Sequence, residues 1–215
     1  MSECCVVVGA GPGLSAAIAR RFAGGGFPVA LIARRPESLR ALAESLDGTT
    51  ATAPADAGDP DAVAAAIADV VGRLGDPGVL VYNAAALHGD RPEELTPAEL
   101  AATLRVNVGG ALAAARAVVQ PMRRRGRGTI LFTGGGLAMH PSPAYTSLSV
   151  GKAAIRALAL VLHDAWGPDG VHVGTVTIAG FIRPSTHFAP EAIAEAYWRL
   201  HVQPPGEWDA ELVYS

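Results

Sequence analysis

Two hydrophobic patterns take turns along this chain. Short unbroken runs of aliphatic and β-branched residues alternate with longer stretches in which apolar positions recur every third or fourth residue. The short runs read as buried strands and the longer stretches as amphipathic helices. Val6-Val7-Val8 is the first run, and residues 27–33, 49–55, 79–82, 129–133 and 171–179 follow it. Between them the helical period predicts segments from Leu14 through Phe22, over 37–46, from Asp59-Pro60 onward, over 96–125 and over 144–166. In the third of these, Val63, Ala66, Ile67, Val70, Val71 and Leu74 form one apolar face. Strands that are apolar on both faces belong to parallel sheets covered by helices on each side. The alternation therefore predicts one α/β domain over residues 1–215, a doubly wound parallel sheet in three α/β/α layers.

Only the tail leaves this pattern. Pro190-Glu191 open a short helix to Leu200 that bears Tyr197 and Trp198, and Pro204-Pro205 stop it. Residues 208–214 read as a last, edge strand.

Half of the 215 residues are hydrophobic, enough for a sizeable core. No run of about 18 apolar residues lacks a charge, Gly or Pro, so no membrane span is predicted. Met1-Ser2-Glu3-Cys4-Cys5 lacks the basic segment of a signal peptide, which makes the cytoplasm the expected location. The two cysteines are neighbours, read as reduced small hydrophobes, and no Cys/His spacing suits a metal. Net charge is −3 with both signs scattered. The one basic run, Arg123-Arg124-Arg125-Gly126-Arg127, falls where a helix ends and complements its dipole, so no nucleic acid partner is expected.

The chemistry gathers at the ends of the predicted strands. After the first strand, Gly9-Ala10-Gly11-Pro12-Gly13-Leu14-Ser15 turns tightly into a helix, whose free N–H groups and positive dipole end suit a phosphate. Two registers fit: Gly11-x-Gly13-x-x-Ala16, the general dinucleotide fingerprint, and Gly9-x-x-x-Gly13-x-Ser15, a wider spacing. Arg34 and Arg35 follow the second strand, at the position that faces the adenosine ribose in a dinucleotide fold. Arginines there hold a 2′-phosphate, which points to NADP(H). Asp56 follows the third strand, where a carboxylate can meet the adenine amino group. Asn83-Ala84 end the fourth strand, and Asn107 is a polar residue inside an apolar helical stretch.

With these motifs in this order, the chain resembles the short-chain dehydrogenase/reductase family over nearly its whole length. Gly9-x-x-x-Gly13-x-Ser15 is similar to that family's glycine motif, with Ser in place of the third Gly. Tyr82-Asn83-Ala84-Ala85 is similar to its Asn-Asn-Ala-Gly stretch, with two of the four residues kept. Asp56, Asn107 and Ala179-Gly180 stand where the family has an adenine-side Asp, a helix-kinking Asn of the proton relay and a Pro-Gly over the nicotinamide. The resemblance implies a Rossmann-type sheet and a cofactor held by Gly9, Gly11, Gly13, Leu14, Ser15, Arg34, Arg35, Asp56, Asn83, Ala84, Lys152, Gly180 and Ile182. It further implies a small-molecule substrate, a covering segment over 181–205, and a homodimer or homotetramer paired through the two long helices. The chain is short for the family, and the helix that usually precedes the last strand is not found in the pattern.

The family's reaction uses Ser, Tyr and Lys, with Tyr four residues before Lys. Lys152 is the only lysine, so its alignment is secure. Four residues before it stands Leu148, and the Ser position falls on Gly135. The implied catalytic residues are therefore Lys152, Asn107 and a replacement acid. Tyr145 lies two turns before Lys152, within about 20° of the same helix face and about 10 Å away. His140 and His187 are further candidates, in the loop before that helix and in the covering segment. Gly135, His140, Tyr145, Leu148 and His187 are the expected substrate-side residues. Two functions remain open: an NADP(H)-dependent oxidoreductase reducing a carbonyl or activated double bond, and a non-redox cyclase, isomerase, lyase or nucleotide-binding regulator on the same scaffold.

Overall fold

The computed structural model describes residues 3–215. Seven strands form one parallel sheet: β1 (Cys4–Val8), β2 (Val29–Ala33), β3 (Thr50–Pro54), β4 (Pro77–Tyr82), β5 (Gly128–Thr133), β6 (Val171–Ile178) and β7 (Glu211–Tyr214). Their order across the sheet is β3-β2-β1-β4-β5-β6-β7. The chain winds outward one way from β1 to β3 and the other way from β4 to β7. That reversal places a crevice at the carboxyl ends of β1 and β4.

Helices α1 (Leu14–Gly24), α2 (Pro36–Glu44) and α3 (Pro60–Leu74) follow the first three strands. They start at a Pro or directly after the glycine turn, where a missing or free N–H costs nothing. The predicted helix over 96–125 divides into α4 (Pro97–Leu104), a π-helical turn (Arg105–Gly109) and α5 (Gly110–Arg125). Thr96 and Glu99 form a capping box at its start, as their spacing predicts. At the π turn the Asn107 Oδ1 accepts from the Ala86 N–H at 2.7 Å, and the Tyr82 hydroxyl donates to the Val106 carbonyl. Both bonds pull the helix out of its i→i−4 ladder toward the end of β4. A Cβ on Gly110 would lie 2.1 Å from the Ala57 carbonyl, so only glycine lets α5 seat this close.

Helix α6 (Thr146–Trp166) spans 21 residues and starts two residues later than its apolar period predicts. Its first turn is held by Asp90, whose carboxylate accepts from the Ser147 N–H at 3.0 Å and from the Ser147 hydroxyl.

The tail differs from expectation. Helix α7 (Pro190–His201) does not cover the cleft but packs on α1, with Ile193, Ala194, Tyr197 and Leu200 buried. It is the short helix expected over 190–200, and it stands as the helix before the last strand rather than as part of a cover. Trp198 lies under the Arg21 guanidinium at 4.0 Å, and its ring fills the space a Gly25 Cβ would need. Of the expected covering segment 181–205, residues 181–189 and 202–205 lie outside the helices and strands. The two apolar clusters hold most of the apolar strand residues. The basic run is matched by acids: Arg123 pairs with Asp169, Arg125 with Asp76 and Glu3, and Arg127 with Glu3. Among the described residues no helix is long and apolar enough to cross a membrane.

Candidate active site

The crevice at the switch point is a cleft of about 620 Å³, lined by Gly9 and Ala10, by Arg34, Arg35 and Ser38, by Asp56, and by 83–86. Its floor is built by close backbone approach. Gly9 has φ +84 and Gly13 φ +89, a conformation that side chains resist. A Cβ on Gly9 would come within 2.4 Å of the Ala84 nitrogen, so β1 and β4 can end side by side only over a glycine. Gly11 has neither constraint, with nothing within 4 Å of a Cβ. Of the two glycine registers, the wider one is the one the backbone requires.

The third position of that register acts through its hydroxyl. Ser15 donates to the Gly9 carbonyl at 2.7 Å and accepts from the Asn83 amide at 2.6 Å. Asn83 Oδ1 in turn accepts from the Thr133 hydroxyl, which also meets the Tyr197 phenol, both at 2.7 Å. One buried chain of hydrogen bonds thus runs from the glycine turn through β4 and β5 to α7, and burial pushes the Tyr197 hydroxyl up so that it stays neutral. Above this chain α1 begins with no side-chain cap and no acid in its first turn, while α3 is capped by Asp59 and α4 by Thr96. An uncapped N-terminus over a glycine turn fits a phosphate.

The remaining expected residues divide. Arg34 and Arg35 are exposed at the cleft's rim, neither in an ion pair among the described residues. Asp56 turns one carboxylate oxygen to the Gly58 N–H at 2.8 Å and lines the cleft. Leu14 points its side chain into the core, which leaves only its backbone for a ligand. Gly180 lies under the Phe188 ring, where a Cβ would come within 2.3 Å, and Ile182 is exposed beside it. Lys152 Nζ donates to the Thr133 carbonyl at 2.8 Å, and desolvation pushes its ammonium down to about 8. Its stem runs past Gly135, whose Cβ would lie 3.4 Å from Lys152 Cε. Leu148, one turn earlier, is buried yet belongs to neither core cluster. Asn107 Oδ1 is used by Ala86 while its buried Nδ2 has no partner.

The three replacement acids fare unevenly. Tyr145 is the residue before α6 and is 38% exposed; His140 is exposed in its loop. His187 is engaged by the end of the chain: its ring stacks on Tyr214 and its Nε2 lies 3.0 Å from the Ser215 carbonyl.

A family model described as short chain dehydrogenase matches residues 3–192. The chain belongs to that family. A probable galactose dehydrogenase of Rhizobium meliloti is 33% identical over 175 residues, covering 80% of this chain and 68% of that protein. A fatty acyl-CoA reductase of Mycobacterium tuberculosis is 29% identical over 177 residues, 80% of this chain and 60% of that one. The chain thus spans about two thirds of the length of these curated relatives. A metagenomic short-chain oxidoreductase, solved in complex with NADP, superposes with a TM-score of 0.89 at 27% identity, over 98% of this chain and 96% of that chain. The family is one of nicotinamide-dependent dehydrogenases and reductases, and the seven-stranded sheet is its fold.

Within this family frame, four residues gain importance that the sequence reading passed over. Ser38 lines the cleft beside the two arginines, and its signal was its place in the first turn of α2. Asp90 anchors α6; its only signal was an acid between two turns. Thr133 and Tyr197 carry the buried chain, and only the packing of α7 brings them together.

Proposed function

We propose that this chain is an NADP(H)-dependent oxidoreductase that reduces a carbonyl or an activated double bond of a small molecule. The observation that carries the cofactor choice is one end of the cleft, where Arg34, Arg35 and Ser38 follow β2 and line the wall, the one lining carboxylate among the described residues being Asp56 after β3. Two cations and a hydroxyl directly after the second strand, where a dinucleotide fold faces the adenosine ribose, suit the 2′-phosphate of NADP.

In this reading the turn from Gly9 through Ser15 and the start of α1 receive the pyrophosphate. Asp56 faces the adenine, Asn83 and Ala84 form the floor, and Gly180 and Ile182 close over the far ring. Lys152 anchors the inner ribose and Asn107 backs it from the π turn. When bound, the nicotinamide supplies or accepts hydride. The chain's own contribution is to orient, to exclude water and to manage one proton. Relatives described as dehydrogenases and reductases support redox chemistry over the non-redox alternative. A homodimer or homotetramer through the outer faces of α5 and α6 fits the exposed stripe of Val150, Ala157 and Val161. Two free, buried cysteines fit a reducing cytoplasm.

Calorimetry with NADPH and NADH tests the cofactor assignment. NADPH binds at least tenfold tighter, and Arg34→Ala with Arg35→Ala removes that preference while weakening NADPH by about 10–100-fold, the worth of one or two charge-assisted hydrogen bonds. Equal affinities in the wild type would refute it.

A further inference from the structure

We propose that Lys152 itself delivers the proton in this reduction, in addition to holding the ribose; the inference rests on the oxidoreductase reading above. A hydroxyl at residue 135 and a phenol at residue 148 would normally stand between a lysine here and a substrate oxygen. Gly135 and Leu148 supply neither. The lysine stem instead occupies the flank of Gly135, in van der Waals reach of where a side chain would begin. The ammonium has three donors, and the Thr133 carbonyl takes one at 2.8 Å. That single anchor fixes Nζ at the carboxyl end of β5, the sheet edge that also carries the glycine turn, with two N–H groups unused among the described residues.

The charges around it leave its titration to desolvation. On its own helix, Arg156 lies one turn on and is neutralised by a bidentate pair with Glu211 of β7, at 2.6–2.9 Å. At the helix start Asp90 is committed to Ser147, with His88 3.5 Å behind it. Behind Thr133 the Tyr197 phenol is held neutral by burial. Leu148 adds apolar cover on the same face. An ammonium so desolvated titrates near 8, which matches it to proton transfer at neutral pH. Neither His140 nor Tyr145 has a comparable anchor, and His187 is tied to the last strand.

The carbonyl carbon gains the hydride that a reduced nicotinamide supplies, and the C=O π pair moves to oxygen. An Nζ–H bond breaks as the O–H bond forms, leaving Lys152 as a neutral amine that recovers its proton from water.

The uniqueness of Lys152 makes the test direct. Protein grown on [6-¹³C]lysine shows one ε-carbon signal from the chain, which can be titrated without any cofactor or substrate. We expect a midpoint near 8; a midpoint at or above the ordinary 10.5 would overturn the proposal. Kinetics supply the second arm, with NADPH oxidation followed in the presence of 9,10-phenanthrenequinone. Lys152→Arg keeps charge and hydrogen-bond donors but cannot give up a proton in this range. It should bind NADPH within a few-fold of wild type, which also proves folding, and lose turnover about 10²–10⁴-fold. The wild-type rate should fall above about pH 8, and that limb should vanish in the variant. An arginine variant as fast as wild type sinks the proton-donor role alone. A wild type that oxidises no NADPH with this or simple ketone probes removes the oxidoreductase reading, and this inference with it.

Discussion

The two halves of the cleft are built on different principles. The half over β1 to β3 is made of backbone: positive-φ glycines and an uncapped helix start. The half proposed over β5 and β6 is made of a few side chains on a helix and a loop, where the family resemblance sets Leu148 and Gly135 at the reactive positions. A backbone cradle has one solution, since a single Cβ in the wrong place closes it. Side-chain chemistry has several, because a proton can come from any group of suitable pKa that reaches the same atom. The binding half is therefore the region that resists substitution, and the reactive half the one that can be rewritten.

Substitutions in the glycine turn should break this contrast most forcefully. Gly9→Val places a Cβ 2.4 Å from the Ala84 nitrogen at φ +84, whereas Gly11→Ala meets nothing within 4 Å. Gly9→Val is expected to lose about 2–4 kcal/mol of stability and over 100-fold in NADPH affinity. Gly11→Ala should change affinity less than about threefold. Thermal melts with cofactor-fluorescence titrations measure both, and similar losses for the two variants would mean the other glycine register holds the phosphate.

Rewriting the reactive half is the next largest effect. Gly135 is extended, with φ −174, and a Ser there meets Lys152 only at ordinary contact distance. Leu148→Tyr with Gly135→Ser should therefore fold, bind NADPH as before, and raise reduction of simple ketones by about 10²-fold or more. No gain in rate would show that the missing groups are not what limits the reaction. Tyr145→Phe, by the same logic, should leave turnover within about twofold.

The smallest expected effect lies far from the cleft and serves as its control. His201 donates to or accepts from Thr129 at 2.9 Å inside a cluster of Phe22, Phe27 and Trp198, and burial pushes its imidazole down to about 4. Between the unfolded value of 6.5 and that lower value, the unfolded chain binds a proton that the folded one refuses. Stability is then full above pH 6.5 and lost as the pH falls toward 4, by up to about 3 kcal/mol. Melting temperature against pH, wild type against His201→Gln, should show this slope flattened in the variant while NADPH affinity at pH 7 stays unchanged. An unaltered slope would assign the acid sensitivity to other groups, His172 first, whose burial also lowers its imidazole.

The sequence by itself determined the fold. Unbroken apolar strands such as Val6-Val7-Val8 and residues 79–82 can only be buried on both faces, and the helices between them are long enough only for parallel crossovers. It also marked the glycine turn, the arginine pair and the lone lysine, because those signals are local: each depends on residue type and spacing within one turn. What it left undecided depends on contacts between distant segments. Whether Gly9 or Gly11 carried the turn was settled by Ala84, 75 positions along the chain. Whether residues 190–201 covered the cleft or joined the core was settled by α1, whose Gly25 makes room for Trp198. That His187 stacks on Tyr214 and meets the Ser215 carbonyl was likewise decided by the last strand. A side chain's chemistry is written at its own position, but its partners and its solvation are not, and those are what burial in the assembled sheet decides.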